Sequence, residues 1–189
     1  MKNQEGEPVA VGNVLMPLAT SSDSLSQLFR EHNRRVLSAA YRITGSMADA
    51  EDVTQAVFLR LAVSSGVPAR NTGSYLYRAA INGAIDLLRR RKTASSEPLE
   101  EAATVASAGL GSSPESEVSS RQLGEWLRTA IAELSPRAAE MFTLRYLEEV
   151  GNREIAAMMG TTQAVVAVTL HHARSKLKKR LREFEGVRR

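Results

Sequence analysis

Apolar residues recur at three- and four-residue steps through most of this chain, which is the period of amphipathic helices. The first such run, Leu25, Phe29, His32, Val36, Ala40 and Ile43, forms one largely apolar stripe. Asp23 or Ser24 can cap its first amides, and Gly45 stops it. Ser46 then caps a second helix with Asp49 in its first turn, where the helix dipole favours an acid. Val53, Val57 and Leu61 are its predicted buried stripe. Residues 64–73, SSGVPARNTG, read as a loop from their Gly, Pro and Asn content. A third helix is predicted from about residue 74 to residue 92, with Leu76, Ala80, Ile81, Ala84 and Leu88 facing inward. Three helices with short connections make a compact helical front domain, residues 23–92.

The pattern resumes at residue 121. One helix carries Leu123, Trp126, Leu127, Ile131 and Leu134. Ser135 followed by Pro136 is a cap and first-position pair that starts another, with Met141, Phe142 and Leu144. Asn152 is then expected to cap a short helix through Met159, Gly160 to end it, and Thr161 or Thr162 to cap a long one. Val166, Leu170, Ala173, Leu177 and Leu181 share a face of that last helix. A short helix, a tight Gly-containing turn and a longer helix is the helix-turn-helix pattern. The rear domain is thus residues 121–186, and the predicted fold class is all-α, two small helical domains.

Between them, residues 93–120 are rich in Ser, Ala, Glu, Gly and Pro and lack a sustained apolar period, the composition of a flexible linker. Residues 1–22 read as a flexible leader, because Gly12, Asn13 and Pro17 interrupt their one mildly apolar run. No stretch of the sequence is long and apolar enough to span a bilayer, so membrane insertion is not expected. The absence of cysteine excludes disulfide frameworks and thiolate zinc sites and suits a reducing cytoplasm.

Charge sharpens this picture. Residues 24–92 hold eleven Lys and Arg against five Asp and Glu, a net +6. Residues 93–120 hold five acids and no base, and residues 121–189 hold thirteen bases against eight acids, a net +5. Two basic blocks around an acidic spacer suggest two surfaces for a polyanion, although two solvated helical faces would look the same. Arg89, Arg90, Arg91 and Lys92 at a helix end are either phosphate contacts or a dipole-favoured terminus. Asn82, Asp86 and Arg89 share a face beside the apolar stripe. Asp52, Gln55 and Leu59 line a face distinct from buried Val53, Val57 and Leu61, as in any amphipathic helix.

The long rear helix is unusual for a DNA reader. Off its apolar stripe stand Gln163, Val165, Ala167, Val168, His171, His172 and Ser175, and the first cation is Arg174. Gln163 can read adenine, and the apolar side chains suit thymine methyl groups. Basic residues crowd the far end instead, where they fit phosphates or the negative pole of the helix. A metal site at the adjacent His171 and His172 is not expected without other ligands. A helical hairpin with no DNA role is the competing reading of this motif.

At these residues the chain resembles the extracytoplasmic-function, group IV, sigma factors of the primary sigma family. RITGSMADAEDVTQAVFLRL is similar to the segment by which sigma factors grip the clamp coiled coil of core RNA polymerase. SYLYRAAINGAIDLLRRRK is similar to the helix that meets the promoter −10 element, and LSPRAAEMFTLRYLEEVGNREIAAMMG with the helix after it resembles the domain that reads the −35 element. The resemblance implies a transcription initiation factor that needs no cofactor, is not an enzyme and works in the cytoplasm. Its implied partners are core RNA polymerase, promoter DNA and an anti-sigma factor. It places Asp52 and Gln55 on the polymerase, with Phe58 and Leu59 as apolar support. It places Tyr75, Asn82, Asp86, Arg89 and Arg90 at the −10 element, with loop 64–73 forming part of the pocket for a flipped base. Arg145, Thr162, Gln163, Val165, Ala167, Val168, His171, His172 and Arg174 fall to the −35 element.

Two departures stand out. Tyr75 replaces the usual Trp, and Ala167, Val168 and Thr169 replace a basic cluster, with His172 where Arg is usual. Fewer cations imply weaker nonspecific affinity and a shallower salt dependence at the −35 element. Selectivity is then expected to rest more on the −10 contacts. The alternative function is a helix-turn-helix regulator that acts without core polymerase.

Overall fold

The computed structural model describes residues 22–63, 71–94 and 114–187. Among these there are seven helices and no strand. The leader, most of loop 64–73 and most of the linker lie outside the described residues.

The front domain is α1 (Ser22–Thr44), α2 (Met47–Val63) and α3 (Thr72–Ala94), with α1 packed on both of the others. Gly45 ends α1 at φ 69°, and its amide returns to the Tyr41 carbonyl at 2.7 Å. A left-handed residue closing the last turn is what a glycine accepts without Cβ strain. Ser46 Oγ accepts the Asp49 amide at 3.4 Å, so the predicted cap at the start of α2 is present. Val36, Ile43, Leu61, Leu76, Ile81 and Ile85 are almost wholly buried, and burying a side chain of this size contributes about 1.5–3 kcal/mol. The stripes predicted for α2 and α3 are all buried. Phe29 departs from its predicted place: it is 43% exposed and covers the edge of the core through an edge-to-face contact with Phe58 at 4.8 Å. A 3.6-residue period drifts across a three-and-four-step stripe, so a member of the run can end at its rim.

The rear domain is α4 (Pro114–Ala132), α5 (Pro136–Tyr146), α6 (Asn152–Met158) and α7 (Gln163–Val187). Ile131, Met141, Leu144, Ile155 and Val166 form its core. Helix α4 reaches back into the stretch read as linker, since Pro114 is tolerated in a first turn that needs no amide donor. Likewise α3 begins at Thr72, inside the predicted loop, after Asn71 turns the chain at φ 75°. Ser135 and Pro136 start α5 as expected, yet the Ser135 side chain makes no cap hydrogen bond. Asn152 is the first residue of α6 rather than its cap; Gly151 holds that position. Leu123 is half exposed, being on the side of α4 away from the core. The two domains are in contact, with α4 and α5 laid against α3.

Candidate nucleic-acid interface

Helices α6 and α7 build the first candidate surface. Gly160 turns the chain at φ 59°, and the Thr161 amide bonds back to the Ala156 carbonyl at 2.9 Å. Thr162 Oγ1 then accepts the Val165 amide at 3.3 Å and caps α7. Val166, Leu170, Ala173 and Leu177 are buried, which fixes the roll of α7 about its axis. The opposite side is open: Thr162, Gln163, Val165, Ala167, Val168, His171, His172 and Arg174 are all exposed. Along that side the chemistry is graded, from Ala164 and Val168 through the two histidines to Lys178, Lys179 and Arg182. Val165 and Val168 are large apolar side chains left 43% and 56% exposed, ahead of the first cation. The histidine rings stand 5.8 Å apart at 78° to one another, and no metal-binding cluster is found among the described residues. Arg145 is exposed next to this unit, its guanidinium donating to the Val150 carbonyl at 3.2 Å.

Helix α2 carries the second surface. Asp52, Gln55 and Leu59 are exposed along one line, Leu59 by 65%. Phe58 is not on that line: it is 6% exposed and belongs to the core. From there it supports the exposed line from beneath.

Helix α3 carries the third. Tyr75 is 40% exposed, Asp86 and Arg90 are exposed, and Asn82 is half-buried. Arg89 is engaged. Its guanidinium donates to the carbonyls of Ala132, the last residue of α4, at 3.2 Å and Leu134 at 3.1 Å, and to Asp86 at 3.1 Å. A cation on helix-terminal carbonyls satisfies orphan acceptors and complements the dipole. Arg91 is also committed, to buried Asp49 through two hydrogen bonds of 2.5 Å. Of the basic run, only Arg90 keeps its guanidinium on its own exposed helix face, donating to the Asp86 carbonyl at 3.4 Å.

Several residues that lie within the quoted motifs, but were not among the candidate site residues, join the domains. Arg78 Nε donates to buried Glu140 at 2.6 Å and its Nη1 to the Met158 carbonyl at 2.6 Å. Arg42 Nη1 donates to Glu148 at 2.7 Å, the same carboxylate oxygen that accepts the Tyr77 hydroxyl. Lys92 pairs with Glu133. The only sequence signal for these contacts is coarse: acids of the rear domain at 133, 140 and 148 facing a front domain of net positive charge.

The chain matches Sigma-70 region 2 over residues 28–94 and Sigma-70 region 4 over residues 124–177. It is 32% identical to the ECF RNA polymerase sigma factor SigE of Mycolicibacterium smegmatis over 82% of this chain, spanning 60% of that relative's length. It is 30% identical to the RNA polymerase sigma factor CarQ of Myxococcus xanthus over 87% of this chain and 93% of that protein. It is 26% identical to the ECF RNA polymerase sigma factor SigW of Bacillus subtilis over 86% of this chain and 91% of that one. Among solved structures the fold is similar to CnrH in complex with the cytosolic domain of CnrY, with a TM-score of 0.51 at 20% identity over 87% of this chain and 91% of that one. It is similar also to the sigma factor RpoE of Bartonella quintana in complex with the anti-sigma factor NepR, with a TM-score of 0.50 at 18% identity over 85% and 98%. Nothing in these likenesses supports a helix-turn-helix regulator that dispenses with polymerase.

Proposed function

This chain belongs to the extracytoplasmic-function sigma factors of the Sigma-70 family, and on that premise we propose how its two domains divide the work of promoter-specific initiation with core RNA polymerase. The front domain, residues 23–92, holds the polymerase clamp through Asp52, Gln55 and Leu59. Its helix α3 meets the non-template strand of the −10 element with Tyr75, Asn82, Asp86, Arg89 and Arg90. Extruding a base costs a few kcal/mol, which pocket contacts offset. The rear domain, residues 121–186, lays the open side of α7 in the major groove at the −35 element, with Arg145 on phosphate.

The observation that carries this reading is the pairing of two independent open surfaces on one chain. The line Asp52–Gln55–Leu59 on α2 and the outward side of α7 belong to separate domains, and neither is covered by the other. Because one chain holds both, each weak contact raises the effective concentration of the other. The chain is a binding protein here, with no chemical step of its own, acting in the cytoplasm where the polymerase is. No helix among the described residues is long and apolar enough to cross a membrane. An anti-sigma factor is its expected inhibitory partner.

The test is addition of the purified chain to core polymerase with a promoter library. Promoter-specific run-off products are expected, and Asp52→Ala together with Leu59→Ala should remove them. Absence of any specific product from the unmodified chain ends the proposal.

A further inference from the structure

A cleft of about 450 Å³ opens where α1 faces the turn that follows α5. Its volume falls within the range of small-molecule sites. None of the residues that line it has a place in the proposed function. Arg34, Arg35, Ser38 and Arg42 form one wall, at helical spacing along an exposed face of α1. Tyr77 and Glu148 form the floor, and both side chains are about as buried as core residues, at 4% exposed. The backbone fixes Glu148 there. Its amide bonds to the Thr143 carbonyl at 3.1 Å, Glu149 turns the chain at φ 56°, and the Val150 amide closes on the Leu144 carbonyl at 2.8 Å.

The two oxygens of the Glu148 carboxylate differ. Oε2 accepts from the Arg42 guanidinium and from the Tyr77 hydroxyl. Oε1 is buried and makes no hydrogen bond. A buried carboxylate oxygen without a donor is costly, so it has the most to gain from a ligand N–H. The cations differ as well. Arg42 is held by Glu148, whereas Arg35 lies over the Tyr77 ring at 4.4 Å, a stacking that leaves its N–H edge open. Arg34 is exposed and forms no hydrogen bond or ion pair among the described residues. The cleft therefore offers an unused acceptor at its floor and unused guanidinium donors at its mouth.

We propose that this cleft binds a guanine nucleotide, with the base edge on Glu148 and the phosphate on Arg34 and Arg35. Guanine sets two donors, N1–H and N2–H, side by side, which suits a carboxylate. Adenine and cytosine place an acceptor beside their amino group, and uracil flanks its one donor with two acceptors. Each of these brings a lone pair against Glu148, and that repulsion is a source of selectivity. Guanidinium groups pair with phosphate through two parallel hydrogen bonds. Arg34 and Arg42 are eight residues apart, about 12 Å along the helix axis, comparable with the reach from base edge to phosphate in a mononucleotide. Ser38 stands between them and can offer its hydroxyl to the ribose. Inorganic phosphate would satisfy the arginines and leave Glu148 Oε1 as it is. A metal cation would face three guanidinium groups.

The experiment is calorimetric titration of the full chain with GMP, AMP, guanosine and inorganic phosphate. GMP is expected to bind at least about tenfold more tightly than AMP or phosphate, since each of these lacks one charge-assisted contact. Arg34→Ala has no internal partner to lose, so its fold is unaffected; it should weaken GMP about tenfold and leave guanosine unchanged. Glu148→Gln should remove the preference for GMP over AMP. Because Glu148 also holds Arg42 and Tyr77, Arg34→Ala is the variant that separates loss of the site from loss of the domain contact. No heat of binding with millimolar GMP, equal affinity for GMP and AMP, phosphate binding as tight as GMP, or unchanged GMP affinity in Arg34→Ala each overturns the assignment.

Discussion

Tyr77, buried in the front domain, donates its hydroxyl to Glu148 of the rear domain while Arg35 covers its ring at 4.4 Å. Burial first, and then the hydrogen bond and charge of Glu148, push the phenol well above its ordinary range; Arg35 and Arg42 pull the other way and lose. The neutral phenol is therefore favoured by the folded, docked state. Because the folded value lies above the unfolded one, near 10, the stabilisation is complete below about pH 10. It is lost as pH rises through the folded value. Thermal midpoints should accordingly fall steeply on the alkaline side in the unmodified chain and less so in Tyr77→Phe. Tyrosinate absorbance gives the direct check, as the difference between the two proteins isolates Tyr77. A difference curve centred at the ordinary tyrosine value would show that Glu148 does not hold this group.

Asp49 supplies a second test, inside one domain. Its side chain is 7% exposed and accepts both ends of the Arg91 guanidinium, tying the start of α2 to the end of α3. Removing Arg91 strands a buried carboxylate. Breaking a buried pair costs about 3–5 kcal/mol, and a partner that is half exposed lowers the expectation to about 2 kcal/mol for Arg91→Ala. Urea denaturation measures it. A loss below about 0.5 kcal/mol would place the pair with ordinary surface ion pairs.

The elements were readable from the sequence because they rest on local chemistry. Gly45 and Gly160 mark helix ends since both occupy the left-handed region, and Thr162 caps α7 since its hydroxyl reaches an orphan amide. The stripes of α2 and α3 follow from the helical period alone. What failed was marginal or non-local. Phe29 was read into the first stripe, and periodicity could not tell that it would stay at the rim of the core against Phe58. Asn152 lost the cap to Gly151 because a residue with no side-chain cap can still hold that backbone conformation. The resemblance supplied residue roles, and it put Arg89 on DNA. It gave no sign that Arg89 first meets the carbonyls of Ala132 and Leu134, more than forty positions further along the chain. Arg78, Tyr77, Glu140 and Glu148 were missed for the same reason: each is one unremarkable member of a helix until two domains meet.

The two left-handed glycines make a matched pair of mutants. A Cβ at Gly160 meets nothing within 4 Å, so Gly160→Ala costs only backbone strain, somewhat more than about 1 kcal/mol. At Gly45 the same strain applies, and the new methyl also collides with the Arg128 guanidinium of the rear domain. Arg128 can swing aside, because its end is flexible, but only by giving up its place at the boundary. Both variants should lose similar thermal stability, while only Gly45→Ala should lower the yield of a zero-length carbodiimide crosslink between Lys92 and Glu133, which pair across the two domains. Equal coupling in the two would mean that Arg128 takes no part in docking.

The outward side of α7 makes its own prediction about promoter sequence. Between its cap and Arg174 it offers no cation, so bidentate recognition of guanine is not available there. Val165 and Val168 remain exposed, and what they can distinguish in a major groove is the thymine methyl. Replacing each thymine of the −35 element by uracil, one at a time, deletes that methyl and leaves base pairing intact. A methyl covered by valine is worth about 0.8 kcal/mol, or roughly fourfold in affinity. Holoenzyme binding should therefore fall about fourfold at one or two positions, and Val168→Ala should make at least one of them indifferent to uracil. Val168→Lys should restore the missing charge, tightening nonspecific binding and steepening its dependence on salt by about one counterion. If uracil is tolerated at every −35 position, the apolar side of α7 does not read bases, and selectivity at this promoter class falls to the −10 contacts.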